Sequence, residues 1–255
     1  MIFMKKIELS DFDIVLMDLD GTVYFGSKLI PGANEAIEFF RHNGKKIYFT
    51  TNNSTKTRRQ IFDKLCSIGV NCNYDEVITS GYLAAMYAKM NSLENIFIFG
   101  SNNLKEEFEK LNVSITSDES ANNLLIGYNP DMTYEGLTQA LQVALHANCI
   151  MACNRERVFP GENARLMPGC GAMTAPIEWC AKRQCDVVIG KPNTLMVEFI
   201  SMINMVEKKH ILVIGDTYES DIEMANRAGA KSIFANSIVQ NFNLYKTVKN
   251  RIAIT

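Results

Sequence analysis

Four short apolar runs in this chain each break off into a polar cluster, and that repetition limits the possible folds more than any other feature. Ile14-Val15-Leu16-Met17 runs into Asp-Leu-Asp-Gly-Thr (18–22), and Lys46-Ile47-Tyr48-Phe49 into Thr-Thr-Asn-Asn-Ser (50–54). Asp186-Val187-Val188-Ile189 leads to Gly190-Lys191-Pro192, and Ile211-Leu212-Val213-Ile214 to Gly-Asp-Thr-Tyr-Glu-Ser-Asp (215–221). Helical spacing fills the gaps. Pro31-Gly32 opens a stretch at 33–41 that Gly44 stops, and 57–68 places Ile61, Leu65 and Ile68 on one face before Gly69. A short strand at 77–79 and a helix at 82–90 follow. Strand–helix alternation of this kind predicts a mostly parallel sheet covered by helices.

The middle of the chain repeats the pattern on its own. Strands are expected at 96–99, 124–127 and 150–153, and helices at 104–111, 134–146 and 172–183. Residues 154–171 show no period and hold Pro160, Gly161, Pro168, Gly169 and Gly171, which reads as one long loop. The alternation then resumes to the end of the chain. The first two polar clusters and the last two flank a stretch with its own strand–helix order. Residues 1–90 and 185–255 are therefore expected to form one core, with 91–184 inserted as a separate α/β domain.

Composition removes several classes of function. Lys and Arg number 26 against 28 Asp and Glu, so no basic excess is available to neutralise a nucleic-acid backbone. The apolar runs are far too short to span a bilayer, and the first ten residues carry Lys5, Lys6 and Glu8 without an extended apolar stretch. The seven cysteines are odd in number and include no CxxC pair, which points to reduced thiols and a cytoplasmic protein. No zinc-finger spacing occurs, and none of His42, His146 and His210 sits in a triad setting.

In open parallel sheets, ligands gather beyond the carboxyl ends of the strands, where Asp18, Asp20, Thr51, Asn52, Lys191, Asp216 and Asp221 fall. Each cluster has a bland reading. Asp-x-Asp-Gly is commonly a turn, Lys191 before Pro192 is commonly a solvated lysine, and 51–54 alone fits an N-cap. Their joint occurrence at strand ends favours chemistry. Carboxylates with a backbone carbonyl hold a hard cation, while a hydroxyl and an ammonium suit phosphate oxygens. Together they make a phosphoryl-transfer site.

Asp-Leu-Asp-Gly-Thr (18–22), Thr-Asn-Asn-Ser (51–54), Gly-Lys-Pro (190–192) and the 215–221 segment resemble the four motifs of the haloacid dehalogenase superfamily. Met167-Pro168-Gly169-Cys170-Gly171 and residues 186–192 are similar to the cap end and core re-entry of its NagD-like, p-nitrophenylphosphatase-like branch. The resemblance covers nearly the whole chain. It implies a Rossmann-like parallel-sheet core (1–90 and 185–255) with an inserted α/β cap of the C2 type (91–184). It also implies a Mg2+-dependent phosphatase acting on a small phosphorylated metabolite, with neither nucleic acid nor membrane as partner, and a homodimer contact on the cap.

Carried over by position, the resemblance makes Asp18 nucleophile and metal ligand. Asp20 becomes the general acid/base, with its carbonyl on the metal. Thr51 binds the transferring phosphoryl group beside Asn52 and Asn53, Lys191 neutralises charge, Asp216 completes the metal site and Asp221 supports it. The 154–159 stretch is this chain's own, and the resemblance places it over the active site. There Arg155 and Arg157 are expected to hold a second anionic group of the substrate, and Phe159 its apolar part. Two competing readings are a sugar phosphomutase of the same fold and a non-catalytic metabolite-binding regulator. The complete set Asp18, Asp20, Thr51, Lys191 and Asp216 argues against the regulator, because a binder has no need of the acid at Asp20.

Overall fold

A computed structural model describes residues 6–161, 165–237 and 241–253. The chain divides into two compact units, Met1–Thr51 with Phe62–Ile78 and Lys191–Thr255, and Asn52–Ile61 with Thr79–Gly190.

The first unit is built on a five-stranded sheet in the order Lys231–Phe234, Ile211–Gly215, Ile14–Asp18, Lys46–Thr51, Val77–Thr79. Ile14–Asp18 pairs in parallel with Ile211–Gly215 on one side and Lys46–Thr51 on the other. The two middle strands are buried along their whole length, which is why they read as unbroken apolar runs rather than alternating ones. The register sets Met17 beside Ile214 and Asp18 beside Thr50, so three polar clusters leave the sheet at one edge. The sheet order also reverses at Ile14–Asp18, which makes its carboxyl end a topological switch point. Helix Ala33–His42 covers the sheet with Ala33, Ala36, Ile37 and Phe40, the i, i+3, i+4, i+7 stripe of an amphipathic helix. An antiparallel ribbon, Tyr24–Phe25 against Lys28–Leu29, follows the first polar cluster directly.

The second unit holds its own five-stranded sheet, in the order Val187–Val188, Cys149–Ala152, Asn123–Ile126, Ile96–Phe99, Ile115–Thr116, with every neighbouring pair parallel. Phe97, Phe99, Leu124, Ile126, Val143 and Ile177 form the centre of its apolar core. Both units are thus α/β with parallel sheets, the architecture that the strand–helix alternation predicts.

Two details depart from the sequence reading. The 154–171 stretch is not one loop: Val158–Pro160 pairs antiparallel with Leu166–Pro168, setting Phe159 opposite Met167. Strands of three residues ending in proline are too short to show a period. Secondly, the expected insertion bounds, 91 and 184, fall inside the second unit at both ends. Val187 and Val188 lie level with Met151 and Ala152 in a parallel pairing, and the helix Ser80–Met90 also groups with that unit. All seven cysteines are free thiols, and among the described residues no helix is long and apolar enough to cross a membrane.

Leu16 is wholly buried in the middle strand of the first sheet. Leu16→Ala is expected to cost about 2–5 kcal/mol, since the rigid flanking strands leave a cavity rather than closing on it. Chemical denaturation checks this, and a loss below about 1 kcal/mol would mean that the core repacks freely.

Candidate active site

Asp18 ends its strand with its side chain at the carboxyl edge of the sheet, and two other chain segments converge on it there. The Lys191 ammonium donates to Asp18 Oδ1 and, at 2.7 Å, to Asp221 Oδ1. Asp18, Asp216 and Asp221 each present a carboxylate oxygen, all within 4.8 Å of one another. Lys191 is 2% exposed and Asp221 1%.

The chain needs special backbone to bring carboxylates this close. Gly21, at φ +91°, stands where an alanine Cβ would lie 2.2 Å from Asp216 Oδ2. Gly215 plays the same part for Asp221, whose Cγ would lie 2.2 Å from a Cβ at 215. After Gly215 the chain enters a π-helical turn, Tyr218–Ile222, which carries Asp221 back toward the strand end. There the Thr217 N–H donates to Asp221 Oδ2 at 3.2 Å and the Ser220 hydroxyl at 3.4 Å. The Thr22 hydroxyl donates to Asp216 Oδ1 at 3.3 Å.

Three carboxylates against one ammonium leave an excess of negative charge in a poorly solvated space. Burial lifts the Asp18 carboxyl well above the usual carboxylate range; Lys191 pulls the other way, while Asp221 and Asp216 add to the rise. Asp216 is pushed up to about 6 by burial and then by Asp221. Lys191 moves upward although burial opposes its charge, because Asp18 and Asp221 hold the ammonium. An all-oxygen donor set carrying surplus negative charge suits a hard divalent cation.

Asp20 lies outside this cluster. It is exposed, and the Tyr24 hydroxyl donates to its Oδ2 at 3.2 Å. Burial and then the Asp20 charge raise the Tyr24 phenol far above its ordinary range, so it stays a donor. Thr51 is buried at the end of its strand, one residue beyond the Asp18–Thr50 pairing.

The remaining expected site residues belong to the second unit. The Asn52 amide donates to Glu156 Oε1 at 2.8 Å. Asn53 Oδ1 accepts from the N–H groups of Thr55 and Lys56, both at 3.0 Å, a local turn ahead of the helix Arg58–Ser67. Arg155 donates to Glu178, which is buried on the helix Gly171–Ala181, and to Gln184 at 3.4 Å. Arg157 is exposed, and Phe159 meets the Tyr128 ring edge-on with centroids 5.3 Å apart. Thr22, Tyr24 and Glu156 were not singled out from the sequence. Thr22 had a usable signal, as the hydroxyl closing the Asp-x-Asp-Gly-Thr run; Tyr24 and Glu156 are paired only by the fold.

Two models of haloacid dehalogenase-like hydrolases match the chain, one over residues 15–114 and one over 188–238. Sugar-phosphatase AraL of Bacillus subtilis is 34% identical over 220 residues, which span 86% of this chain and 80% of that protein. Phosphoglycolate phosphatase 2 of Arabidopsis thaliana is 30% identical over 246 residues, 87% of this chain and 81% of that one. The solved p-nitrophenyl phosphatase of Archaeoglobus fulgidus superposes with a TM-score of 0.85 at 28% identity, covering 94% and 93% of the two chains. The chain belongs to the haloacid dehalogenase-like hydrolase family, among its NagD-like and p-nitrophenylphosphatase-like phosphatases.

Gly21→Ala tests how the cluster is assembled. The left-handed backbone alone is expected to cost about 1–2 kcal/mol, with the clash on Asp216 adding to it. Adding Asp216→Ala removes the clash and leaves only the backbone strain, so the two effects are non-additive in chemical denaturation. Simple additivity would mean that Gly21 does not make room for Asp216.

Proposed function

We propose that this protein is a Mg2+-dependent phosphomonoester hydrolase that works through an aspartyl-phosphate on Asp18. The observation that carries the reading is the buried Lys191 ammonium held by Asp18 and Asp221, with Asp216 completing a carboxylate trio around the same point. Asp18, Asp216 and the Asp20 carbonyl are the groups that would hold the cation. When bound, it supplies positive charge to the phosphoryl oxygens and offsets the surplus that lifts Asp18 and Asp216.

The residues divide the work by environment. Lys191 opposes the burial that lifts Asp18 and so favours its anionic form. An Asp18 oxygen forms a bond to phosphorus as the ester P–O bond breaks, and the departing alkoxide takes a proton from Asp20. Asp20 then accepts a proton from water, which attacks phosphorus and releases inorganic phosphate and Asp18. Exposure and the Tyr24 hydroxyl leave Asp20 free of the ammonium that holds Asp18. Thr51, with Asn52 and Asn53 following it, is assigned to the phosphoryl oxygens, and Asp221 to holding Lys191.

The second unit is assigned the role of cap and substrate selector, and the substrate is a small phosphorylated metabolite handled in the cytoplasm. Sugar-phosphatase and phosphoglycolate phosphatase among the relatives support that class. Because Arg155 is engaged by Glu178, recognition of a second anionic group falls to Arg157.

Phosphate release from p-nitrophenyl phosphate tests the reading. Activity is expected with Mg2+ and is expected to vanish in excess EDTA; full turnover in EDTA would remove the metal from the scheme. Asp18→Asn should leave only residual hydrolysis, whereas Asp20→Asn should lose about 10²–10⁴-fold through missing proton transfer. Near wild-type rates for Asp18→Asn would show the nucleophile to be another group.

The raised Asp216 carboxyl also sets a pH dependence of stability. The folded protein binds this proton up to about pH 6, while the unfolded chain releases it near the ordinary carboxylate value of 3.8. Stability from this group is therefore lost as pH rises from about 4 to 6 in metal-free protein. The difference in thermal midpoint between wild type and Asp216→Asn should follow that course and shrink when Mg2+ is added. A difference independent of pH would contradict it.

A further inference from the structure

Thr51 and Lys191 are followed and preceded, respectively, by Asn52 and Gly190, and these two neighbours share one cluster in the second unit. The Asn52 carbonyl accepts from the Ser80 hydroxyl at 2.7 Å and from the Asn154 amide at 2.8 Å. The Asn52 amide donates to Glu156 Oε1 at 2.8 Å, and the Glu156 N–H donates to Asn154 Oδ1 at 3.1 Å. Asn154 and Glu156 thereby close a ring on Asn52. The Gly190 N–H donates to the Cys153 carbonyl at 2.8 Å, and a Cβ on Gly190 would lie 2.4 Å from Asn52 Oδ1. Asn52 and Asn154 are both buried, so their polar groups need these partners.

We infer that Glu156 is a positioning residue, acting through Asn52, for the two chain segments that bear Thr51 and Lys191. The inference rests on the phosphatase reading and adds to it a residue that acts through Asn52. Glu156 is itself fixed from behind, because its carbonyl accepts the Gly171 N–H at 2.8 Å. Removing its carboxylate takes an acceptor at 2.8 Å away from a buried amide. Asn52 then turns toward other partners, taking its contact with Gly190 along. Displacements of about 1 Å in groups that orient a reacting phosphoryl cost on the order of 10²-fold in rate. What Asn52 requires is an acceptor at this point, and a neutral amide oxygen serves as well as a carboxylate.

Steady-state kinetics of the full chain with p-nitrophenyl phosphate and Mg2+, read beside thermal midpoints, test this. Glu156→Ala is expected to lower kcat by about 10–10²-fold with little change in KM. Glu156→Gln should recover most of that loss and keep the wild-type pH profile. Gly190→Ala leaves Glu156 in place but pushes on Asn52, and it should reproduce the kcat loss. Glu156→Ala should add nothing in an Asn52→Ala background. Wild-type kcat in Glu156→Ala would overturn the inference, as would multiplicative losses with Asn52→Ala. A Gln variant as slow as Ala would also overturn it, since the charge rather than the acceptor would then matter. If Glu156→Ala does not fold, an active Glu156→Gln together with an impaired Gly190→Ala supports the inference, and an unimpaired Gly190→Ala overturns it. A wild-type enzyme that releases no phosphate would remove the phosphatase reading itself, which separates the two failures.

Discussion

The first unit is organised around one buried ammonium. A lysine that is 2% exposed costs several kcal/mol to desolvate unless carboxylates meet it, and Lys191 meets two. Much of the local backbone follows from that requirement. The parallel register brings Asp18 and Thr50 level, and the π-helical turn returns Asp221 to the strand end. Gly21 and Gly215 leave the space that side chains would otherwise occupy. Removing one partner would strand a buried charge, so the arrangement tolerates little drift. A rigid array of charge is also what phosphoryl transfer asks for, because such sites act mainly by positioning and electrostatics.

The same crowding explains why the carboxylates titrate high. Asp18 is lifted by burial and by Asp221 and Asp216, Asp216 by burial and by Asp221, and a single ammonium offsets only part of that. A site poised this way favours whatever brings positive charge to it.

Much of this was legible before any coordinates. Ile14–Asp18 and Ile211–Gly215 are buried on both faces, so their sequences are continuous apolar runs with an abrupt polar end. Asp18, Lys191 and Asp216 stood out because each closes or follows such a run. The contact between Lys191 and Asp221 was not legible, since it spans 30 residues and depends on a π-helical turn with no clear sequence mark. The ribbon of Val158–Pro160 and Leu166–Pro168 escaped because three-residue strands carry no period. The pairing of Arg155 with Glu178, 23 residues away on a helix, leaves no mark in the sequence. Glu156 carries no such mark beside two arginines, although it and Asn154 are bonded to the residue after Thr51.

Asp18 and Asp20 show how two identical side chains two positions apart come to differ. Asp18 is the last residue of a fully buried strand and faces Lys191, Asp216 and Asp221. Asp20 sits beyond it on the turn that Gly21 permits, open to water and paired with a neutral phenol. In the proposed scheme the first is the nucleophile, set beside the Lys191 ammonium. In the proposed scheme the second is the acid/base, in reach of water and of the Tyr24 hydroxyl. The Gly21 backbone makes that separation, and it also makes the room for Asp216. One glycine therefore links the division of labour between the two acids to the geometry of the carboxylate trio.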